Sequence, residues 1–154
     1  MLSSLRREGR GLIMVGGHIS NFDLAALHYA AKGVAIPGLA WATPTSGYDL
    51  QNQVRIAGGI DLLTIDMATL RKALVILRQG GLVATGIDRP DPFGGGEMIP
   101  FFGRPARMPV GHVRLALQAN VPILVASVEY RHSARAYIAH AARWLEMERV
   151  GSRE

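Results

Sequence analysis

The chain has 154 residues, of which 49% are hydrophobic and 19% are charged. This length is typical of a single domain, and the apolar content is high enough to bury a core and too high for a disordered segment. Cysteine is absent, which excludes disulfide bonds, thiol catalysis and cysteine-ligated zinc or iron–sulfur sites. The 17 basic residues outnumber the 12 acidic ones and give a formal net charge of +5.

Arginine dominates the basic residues, since only Lys32 and Lys72 are lysines. Arginine binds phosphate through two parallel hydrogen bonds, so this bias indicates an anionic substrate or a membrane surface, although an arginine-rich codon usage explains it equally well. The arginines are scattered and only 6% of residues are aromatic, which argues against a nucleic-acid partner. No stretch provides the ~20 apolar residues of a transmembrane helix, so we expect any membrane attachment to be peripheral or to reside in sequence that this chain lacks.

Five apolar runs of strand length follow one another along the chain, at residues 12–15, 34–41, 60–65, 82–87 and 121–128. Helical patterns lie between them, at residues 21–32, 48–57, 68–79 and 109–120. The apolar runs are continuous rather than alternating, which is typical of parallel strands buried on both faces. The sequence therefore predicts one α/β domain over residues 1–154, with a mostly parallel central sheet flanked by helices.

Residues 88–107 interrupt this alternation. They contain four prolines, four glycines and two adjacent phenylalanines. We expect this stretch to be a long loop, and a loop of this length inside a domain commonly has a functional role.

Several polar residues come directly after the predicted strands. His18 follows the first strand and Asp66 the third. Asp88 and Arg89 follow the fourth, and Arg55 lies on the helix after the second. Because the ligand site of an open parallel sheet lies beyond the carboxyl ends of its strands, we expect these side chains to meet at one edge.

His18 and Asp23 form an HxxxxD motif between the first predicted strand and the next helix. An aspartate five residues after the histidine can turn back to the imidazole, fix its tautomer and stabilise the imidazolium. The other ring nitrogen is then free to take a proton from a substrate hydroxyl. Two alternatives stay open from the spacing alone: Asp23 closes a helix capping box with Ser20, and His18 is a turn histidine satisfied by backbone groups.

Other catalytic signatures are missing from the sequence. It has neither a GxSxG nucleophile elbow nor a GxxxxGK phosphate loop. The other four histidines show no spacing typical of metal ligands. We therefore expect no metal and no cofactor.

Three segments together resemble one known family. They read GGHISNFDLAAL, LRQGGLVATGIDRP and GGGEMIPFFGRPARMPVGHVRLALQANVPILVASVEYR. Their order and spacing resemble the lipid A biosynthesis (late) acyltransferase family, which includes lauroyl and myristoyl transferases and phosphatidylinositol mannoside acyltransferases. That family belongs to the lysophospholipid acyltransferase-like superfamily. The resemblance covers residues 11–137, and the FFGRPA block is its most specific part.

The resemblance implies transfer of a fatty acyl group from acyl-carrier protein or acyl-CoA to a lipid hydroxyl, without metal or covalent intermediate. It implies that His18 is the general base and that Asp23 orients it. The family's arginine after the second strand looks like Arg55, which would contact acceptor phosphate or the reaction centre. The family's acid at the end of a glycine-preceded strand looks like Asp88.

Five further residues are expected to contact substrate. Position and charge make Arg89 and Arg104 candidates to bind anionic groups. Phe101 and Phe102 are candidates to line the path of the acyl chain, with anchoring of the loop or core as the alternative. Asn21, inside the histidine motif, is the fifth.

Members of this family carry an N-terminal hydrophobic anchor and more chain after the last strand. This sequence looks like a catalytic core without either flank, and the resemblance implies a peripheral location at the cytoplasmic face of the inner membrane. Two other interpretations stay open. One is a thioesterase or hydrolase that uses the same histidine and aspartate with water, and the other is a catalytically silent domain that binds anionic lipid.

Overall fold

A six-stranded sheet lies at the centre of this computed structural model, which describes residues 9–40, 46–89 and 94–148. The strands in chain order are β1 (Leu12–Gly16), β2 (Gly38–Ala40), β3 (Leu62–Thr64), β4 (Leu82–Gly86), β5 (Glu97–Phe101), β6 (Arg104–Met108), β7 (Ile123–Arg131) and β8 (Ala136–Leu145). The strands β5 and β6 pair only with each other and form a separate hairpin. The helices are α1 (Phe22–Ala31), α2 (Ser46–Ala57), α3 (Met67–Arg78) and α4 (Gly111–Ala119).

The sheet has the strand order β3-β2-β4-β1-β7-β8. Neighbouring strands are parallel, except that β8 runs antiparallel to β7. The strand β1 therefore lies between β4 and β7, and its register with β4 sets Gly16 opposite Gly86. This arrangement confirms the predicted α/β class, a mostly parallel sheet flanked by four helices.

The most apolar strand segments form the core because they are buried on both faces of the sheet. Leu12 and Ile13, adjacent in β1, are both fully buried and belong to two different core clusters. The helices α3 and α4 pack against each other over one of these clusters, where Ala73, Leu77 and Ala116 are inaccessible to solvent. The helices α3 and α4 therefore pack closely against one face of the sheet.

The helix α1 is packed less closely. Its sequence, FDLAALHYAA, is almost entirely apolar, yet none of its residues is buried. It contacts β7 and β8, and its small side chains leave space between the helix and the sheet. None of the helices in the described part of the chain is long and apolar enough to cross a membrane.

Short polar side chains set the starts of two helices. The Asn21 side chain accepts a hydrogen bond from the Leu24 amide (3.2 Å) at the start of α1, and the Asp66 carboxylate accepts one from the Thr69 amide (2.6 Å) at the start of α3. The hydrogen bond from Thr69 lowers the pKa of Asp66. Asp66, expected near the site, is thus a helix cap.

Three parts of the chain differ from the prediction. The predicted loop over 88–107 is wrong from residue 97 onward, because β5 and β6 form an antiparallel hairpin that a proline- and glycine-rich composition conceals. The strand β8, mostly exposed, has no continuous apolar run to reveal it. The predicted strand over 34–41 is ordered as a strand only from Gly38 to Ala40, and Trp41 lies outside the described residues.

Replacing Leu77 with alanine tests the closely packed face. Leu77 is fully buried in the core cluster beneath α3, so we expect Leu77→Ala to lose about 3 kcal/mol of unfolding free energy through lost burial and the cavity left behind. Val75→Ala, on the same helix at a position that is 51% exposed, should change it by less than about 0.5 kcal/mol. Urea denaturation measures both variants, and equal losses would contradict the described packing of α3.

Candidate active site

The candidate site forms where β1 and β4 end. These strands are parallel neighbours in register, so the residues that follow them emerge side by side at the carboxyl edge of the sheet. His18 comes two residues after the end of β1, and Asp88 comes two residues after the end of β4. The strand pairing thus joins two side chains that lie 70 positions apart in the sequence.

Asp88 holds His18 by both its backbone and its ring. The amide of His18 donates to Asp88 Oδ2 at 2.6 Å, and His18 Nδ1 lies 2.5 Å from Asp88 Oδ1. The ring also lies against Gly86, where an added Cβ would stand 2.5 Å from His18 Cε1. The edge-to-face contact with Phe22, at 5.1 Å between ring centres, limits the imidazole on another side. The ring is therefore fixed by a carboxylate, a glycine and an aromatic side chain.

The ionisation of Asp88 decides which tautomer His18 adopts. Burial acts to raise the pKa of Asp88, but the hydrogen bonds from the ring and the amide of His18 outweigh it and hold this pKa below its ordinary value. An ionised carboxylate only accepts hydrogen bonds, so Nδ1 must carry the proton that lies between the two residues. Nε2, which has no hydrogen-bond partner within the described ranges, is then the ring nitrogen that can accept a proton.

Asp23 belongs to a second ion pair, with Arg55 of α2. Arg55 Nε donates to Asp23 Oδ1 at 2.7 Å and Nη2 donates to Oδ2 at 3.0 Å, a bidentate arrangement. Gln51 Nε2 donates to Asp23 Oδ2 at 2.6 Å, and Arg55 Nη1 donates to Asn52 Oδ1 at 2.9 Å. Burial acts to lower the pKa of Arg55, but hydrogen bonding with Asp23 helps to raise it above its ordinary value. Arg55, only 6% exposed, is thus a buried and fully paired cation.

The expected contact between Asp23 and His18 is therefore not the one observed. The imidazole binds Asp88, and Asp23 binds Arg55 and Gln51. The capping-box alternative is also wrong, because Asn21 caps α1. Spacing along the chain made Asp23 available to His18, but the pairing of β1 with β4 brings a nearer carboxylate. The catalytic roles of His18 and Asp23 stay predictions.

Aromatic rings connect the two ion pairs. Phe22 contacts the His18 ring on one side and lies 5.6 Å from the Arg55 guanidinium carbon on the other. Tyr48 contacts two arginines, with its ring centre 5.4 Å from Arg55 Cζ and 4.6 Å from Arg89 Cζ. Cations over aromatic faces are favourable. Arg89 is thereby brought to the site, as expected.

A cavity of about 270 Å³ lies between α1 and the sheet and reaches this cluster. His18, Asp23, Tyr48 and Arg55 contribute to its wall. Most of the remaining wall is apolar, and much of it consists of small side chains from α1 and the strands, including Ala25, Ala26, Ala30, Ala84 and Ala126. A mostly apolar cavity with a few convergent polar groups is typical of a small-molecule site.

The structure leaves four predicted substrate residues outside this cluster. Phe101, Phe102 and Arg104 lie exposed on the hairpin and do not line the cavity. Asn21 is occupied as the cap of α1. Their contacts with substrate stay predictions. Within residues 9–40, 46–89 and 94–148, no three histidine, aspartate or glutamate side chains are grouped so that they could hold a metal ion.

Sequence reasoning missed the importance of three residues in this cluster. Gly86 provides the space for the imidazole, Gln51 donates a hydrogen bond to Asp23, and the Tyr48 ring contacts two arginines. The sequence contained a signal for Gly86, because pairing the first and fourth apolar runs sets Gly16, which follows the first run, opposite Gly86 of the fourth. Gln51 and Tyr48 lie on a helix whose position the sequence does not specify.

The fold and the site together define a parallel α/β protein whose histidine–carboxylate pair opens on an apolar cavity. The chain matches the family described as bacterial lipid A biosynthesis acyltransferase over residues 1–147, and it belongs to this family. No curated protein matches the chain. Membership confirms the family resemblance and gives the protein, in general terms, a lipid A acyltransferase activity with an acyl donor and a lipid acceptor as substrates.

Lowering the pH tests the link between His18 and Asp88. Because the pKa of Asp88 is lowered by folding, its contribution to stability is complete above the pKa of an unfolded aspartate, about 4, and is lost as the pH falls through the lower pKa of the folded state. We therefore expect the destabilisation caused by Asp88→Asn to be constant above about pH 5 and to shrink as the pH falls below about 4 in urea denaturation. Asp49→Asn, at an exposed position of α2, is the control. A difference between wild type and Asp88→Asn that stays constant below about pH 4 as well would contradict the link.

Proposed function

We propose that the protein transfers a fatty acyl group from acyl-carrier protein or acyl-CoA to a hydroxyl of a glycolipid or phospholipid acceptor, with His18 as general base. One observation carries the proposal: Asp88 binds Nδ1 of His18 and leaves Nε2 able to accept a proton beside an apolar cavity. Membership of the acyltransferase family supports the reaction type.

In the proposed reaction, His18 first accepts one proton and then returns it. The acceptor hydroxyl oxygen attacks the carbonyl carbon of the donor thioester while Nε2 of His18 takes the hydroxyl proton. The carbon–sulfur bond then breaks, and the sulfur leaves as a thiol after taking that proton back from the imidazolium. An ester has formed and the imidazole is regenerated. The Asp88 carboxylate stabilises the imidazolium between the two steps.

Negative charge on the former carbonyl oxygen requires hydrogen-bond donors. The hydrogen-bonding groups of Arg55 are directed to Asp23 and Asn52, so this arginine serves as a fixed positive charge rather than a free donor. The backbone amide of Gly17 lies directly after the end of β1 and next to His18. We assign stabilisation of this oxygen to the Gly17 amide.

The other polar groups of the cluster are given separate roles. Asp23 acts as a positioning residue, because it holds Arg55 against Phe22 and Phe22 contacts the His18 ring. Arg89, stacked on Tyr48, offers its guanidinium to a phosphate of the donor or the acceptor. The small side chains along the cavity wall leave room for the acyl chain. The net charge of +5 favours attachment to an anionic lipid surface, for which we propose the cytoplasmic face of the inner membrane.

Transfer of a radiolabelled acyl group tests the proposal. Acyl-CoA and, separately, acyl-carrier protein serve as donors to a bacterial lipid extract, and thin-layer chromatography separates the products. We expect a labelled lipid from wild type and a rate about 100-fold or more lower from His18→Ala. His28→Ala, at an exposed position of α1, is the matched control and should retain the rate. Equal rates for wild type and His18→Ala would refute the general base, and labelled free fatty acid without labelled lipid would instead support a thioesterase.

Replacing Asp88 should mainly lower kcat, whereas replacing Asp23 should mainly lower the free energy of unfolding. Asp88→Asn removes the negative charge and replaces one accepting oxygen by an NH2 donor, which can favour the wrong tautomer of His18, so we expect kcat to fall about 100-fold or more with little change in KM. Asp23→Asn leaves the buried Arg55 without its counter-ion, so we expect a loss of about 3 kcal/mol in unfolding free energy. Steady-state kinetics and urea denaturation of both variants measure the contrast. If Asp23→Asn instead lost kcat while keeping full stability, Asp23 would be the direct partner of the histidine.

Adding one methyl group at Gly86 tests the position of the imidazole. An alanine Cβ there would collide with the His18 ring, which stands 2.5 Å away at Cε1. We expect Gly86→Ala to keep its fold and to lose about tenfold to 100-fold in transfer rate, because the base is displaced by about an ångström. Gly111→Ala, where an added Cβ meets nothing within 4 Å, is the control. Full activity of Gly86→Ala would show that the ring does not act from this position.

A further inference from the structure

The β5–β6 hairpin carries apolar side chains that the rest of the described structure does not cover. All five residues of β5 are exposed. Phe102, at the tip, is 93% exposed, and Met98, Phe101 and Ile99 are also among the exposed large apolar residues. The rings of Phe101 and Phe102 meet edge to face at 4.7 Å and form one apolar unit. A contiguous exposed apolar patch marks an interaction surface.

The turn of the hairpin holds Phe102 in an unfavourable conformation. Phe101 pairs with Arg104, so Phe102 and Gly103 form a two-residue turn, and both have positive φ, +48° and +77°. Such turns favour asparagine, aspartate or glycine at the first position. A bulky aromatic residue there carries a conformational cost. Phe102 has this unfavourable conformation although its side chain is almost fully exposed, which indicates that the side chain serves an interaction rather than the stability of the fold.

Arginines accompany the apolar side chains on both faces of the hairpin. Residues directly opposite each other in an antiparallel pair share a face. Phe101 is opposite Arg104, and Met98 is opposite Arg107. Arg104 has no hydrogen bond within the described part of the chain, and Arg107 donates one, to the Gly96 carbonyl at 3.3 Å. An arginine stem can lie along apolar surface while its guanidinium binds phosphate, so this pairing suits an interface between lipid headgroups and acyl chains.

The hairpin lies at the edge of the sheet that carries the candidate site. The chain passes from the end of β4, next to Asp88, into the hairpin and then into α4, which starts from the same edge. The base of the hairpin is joined to α4 by the ion pair of Arg114 with Glu97, at 3.2 Å. The base of the hairpin is therefore held at the edge of the sheet where His18 lies.

We propose that the β5–β6 hairpin is a membrane-docking element, which inserts Phe101 and Phe102 at the boundary of an anionic lipid bilayer while Arg104 and Arg107 bind lipid phosphates. The choice of a lipid surface as partner rests on the proposed function. Interfacial amphipathic helices bury their apolar face by about 5–10 Å, and we expect a similar depth for the tip of the hairpin. Neighbouring arginines then lie at the level of the headgroups, where each adds attraction to an anionic surface.

Vesicle flotation with the full chain tests this proposal. The vesicles consist of phosphatidylglycerol mixed with phosphatidylcholine, or of phosphatidylcholine alone. We expect wild type to float with the anionic vesicles, and Phe102→Asn to bind them about tenfold more weakly. Arg104→Gln should bind about fivefold more weakly and with a smaller salt dependence. Val75→Asn, which removes an exposed apolar side chain from α3, is the control and should bind as wild type does.

The asparagine variant also separates docking from folding. Phe102→Asn creates an Asn-Gly turn, which suits two positive φ values, so we expect its melting temperature to stay equal or rise while its binding falls. Unchanged flotation of Phe102→Asn, or equal losses in Val75→Asn, would overturn the proposal. A wild-type dimer that Phe102→Asn dissociates, with flotation unaffected, would assign the hairpin to a second copy of the chain instead. Flotation requires no acyl transfer, so a loss of membrane binding and a loss of transferase activity are measured independently.

Discussion

The parallel pairing of β1 with β4 is the constraint on which the candidate site depends. Parallel neighbours end at the same edge of a sheet, and the register that sets Gly16 opposite Gly86 brings the next residues of both strands together. The Asp88 carboxylate can therefore reach the amide and the ring of His18 at once. Gly86 leaves the space that the imidazole occupies. A shift of the strand register by one residue would turn these side chains to the other face of the sheet and separate His18 from Asp88.

The carboxylates of Asp88 and Asp23 bind different partners because their surroundings differ. Asp88 lies at the strand end, where hydrogen bonds from His18 hold its pKa low and keep it an acceptor. Asp23 faces a buried guanidinium, and a buried cation without its counter-ion would be strongly destabilising. Phe22 contacts both His18 and Arg55, so the proposed general base and the Arg55–Asp23 ion pair are packed as one unit. The HxxxxD motif therefore serves this site through two partners rather than through one direct contact.

The two faces of the sheet are packed differently. The helices α3 and α4 cover one face of the sheet with fully buried side chains. The helix α1 covers the other face with small residues, none of which is buried, and the space it leaves is the cavity beside His18. The hairpin extends from the same edge with its apolar tip exposed. The cavity proposed for the acyl chain therefore lies on the face opposite to the closely packed one, whereas the base of the hairpin is joined to α4.

The sequence by itself determined the α/β class, all four helices, five of the strands in the sheet and the edge at which His18, Asp88, Arg55 and Arg89 meet. These features follow from local patterns, because apolar periodicity and turn residues report burial and backbone hydrogen bonding over a few neighbouring positions. Only the tertiary structure decided which carboxylate binds His18, how Arg55 is paired and that residues 97–108 form a hairpin. The physical reason is that the partner of a side chain depends on which strands lie side by side. His18 binds Asp88, 70 residues away, rather than Asp23, five residues away, because the pairing of β1 with β4 brings Asp88 closer.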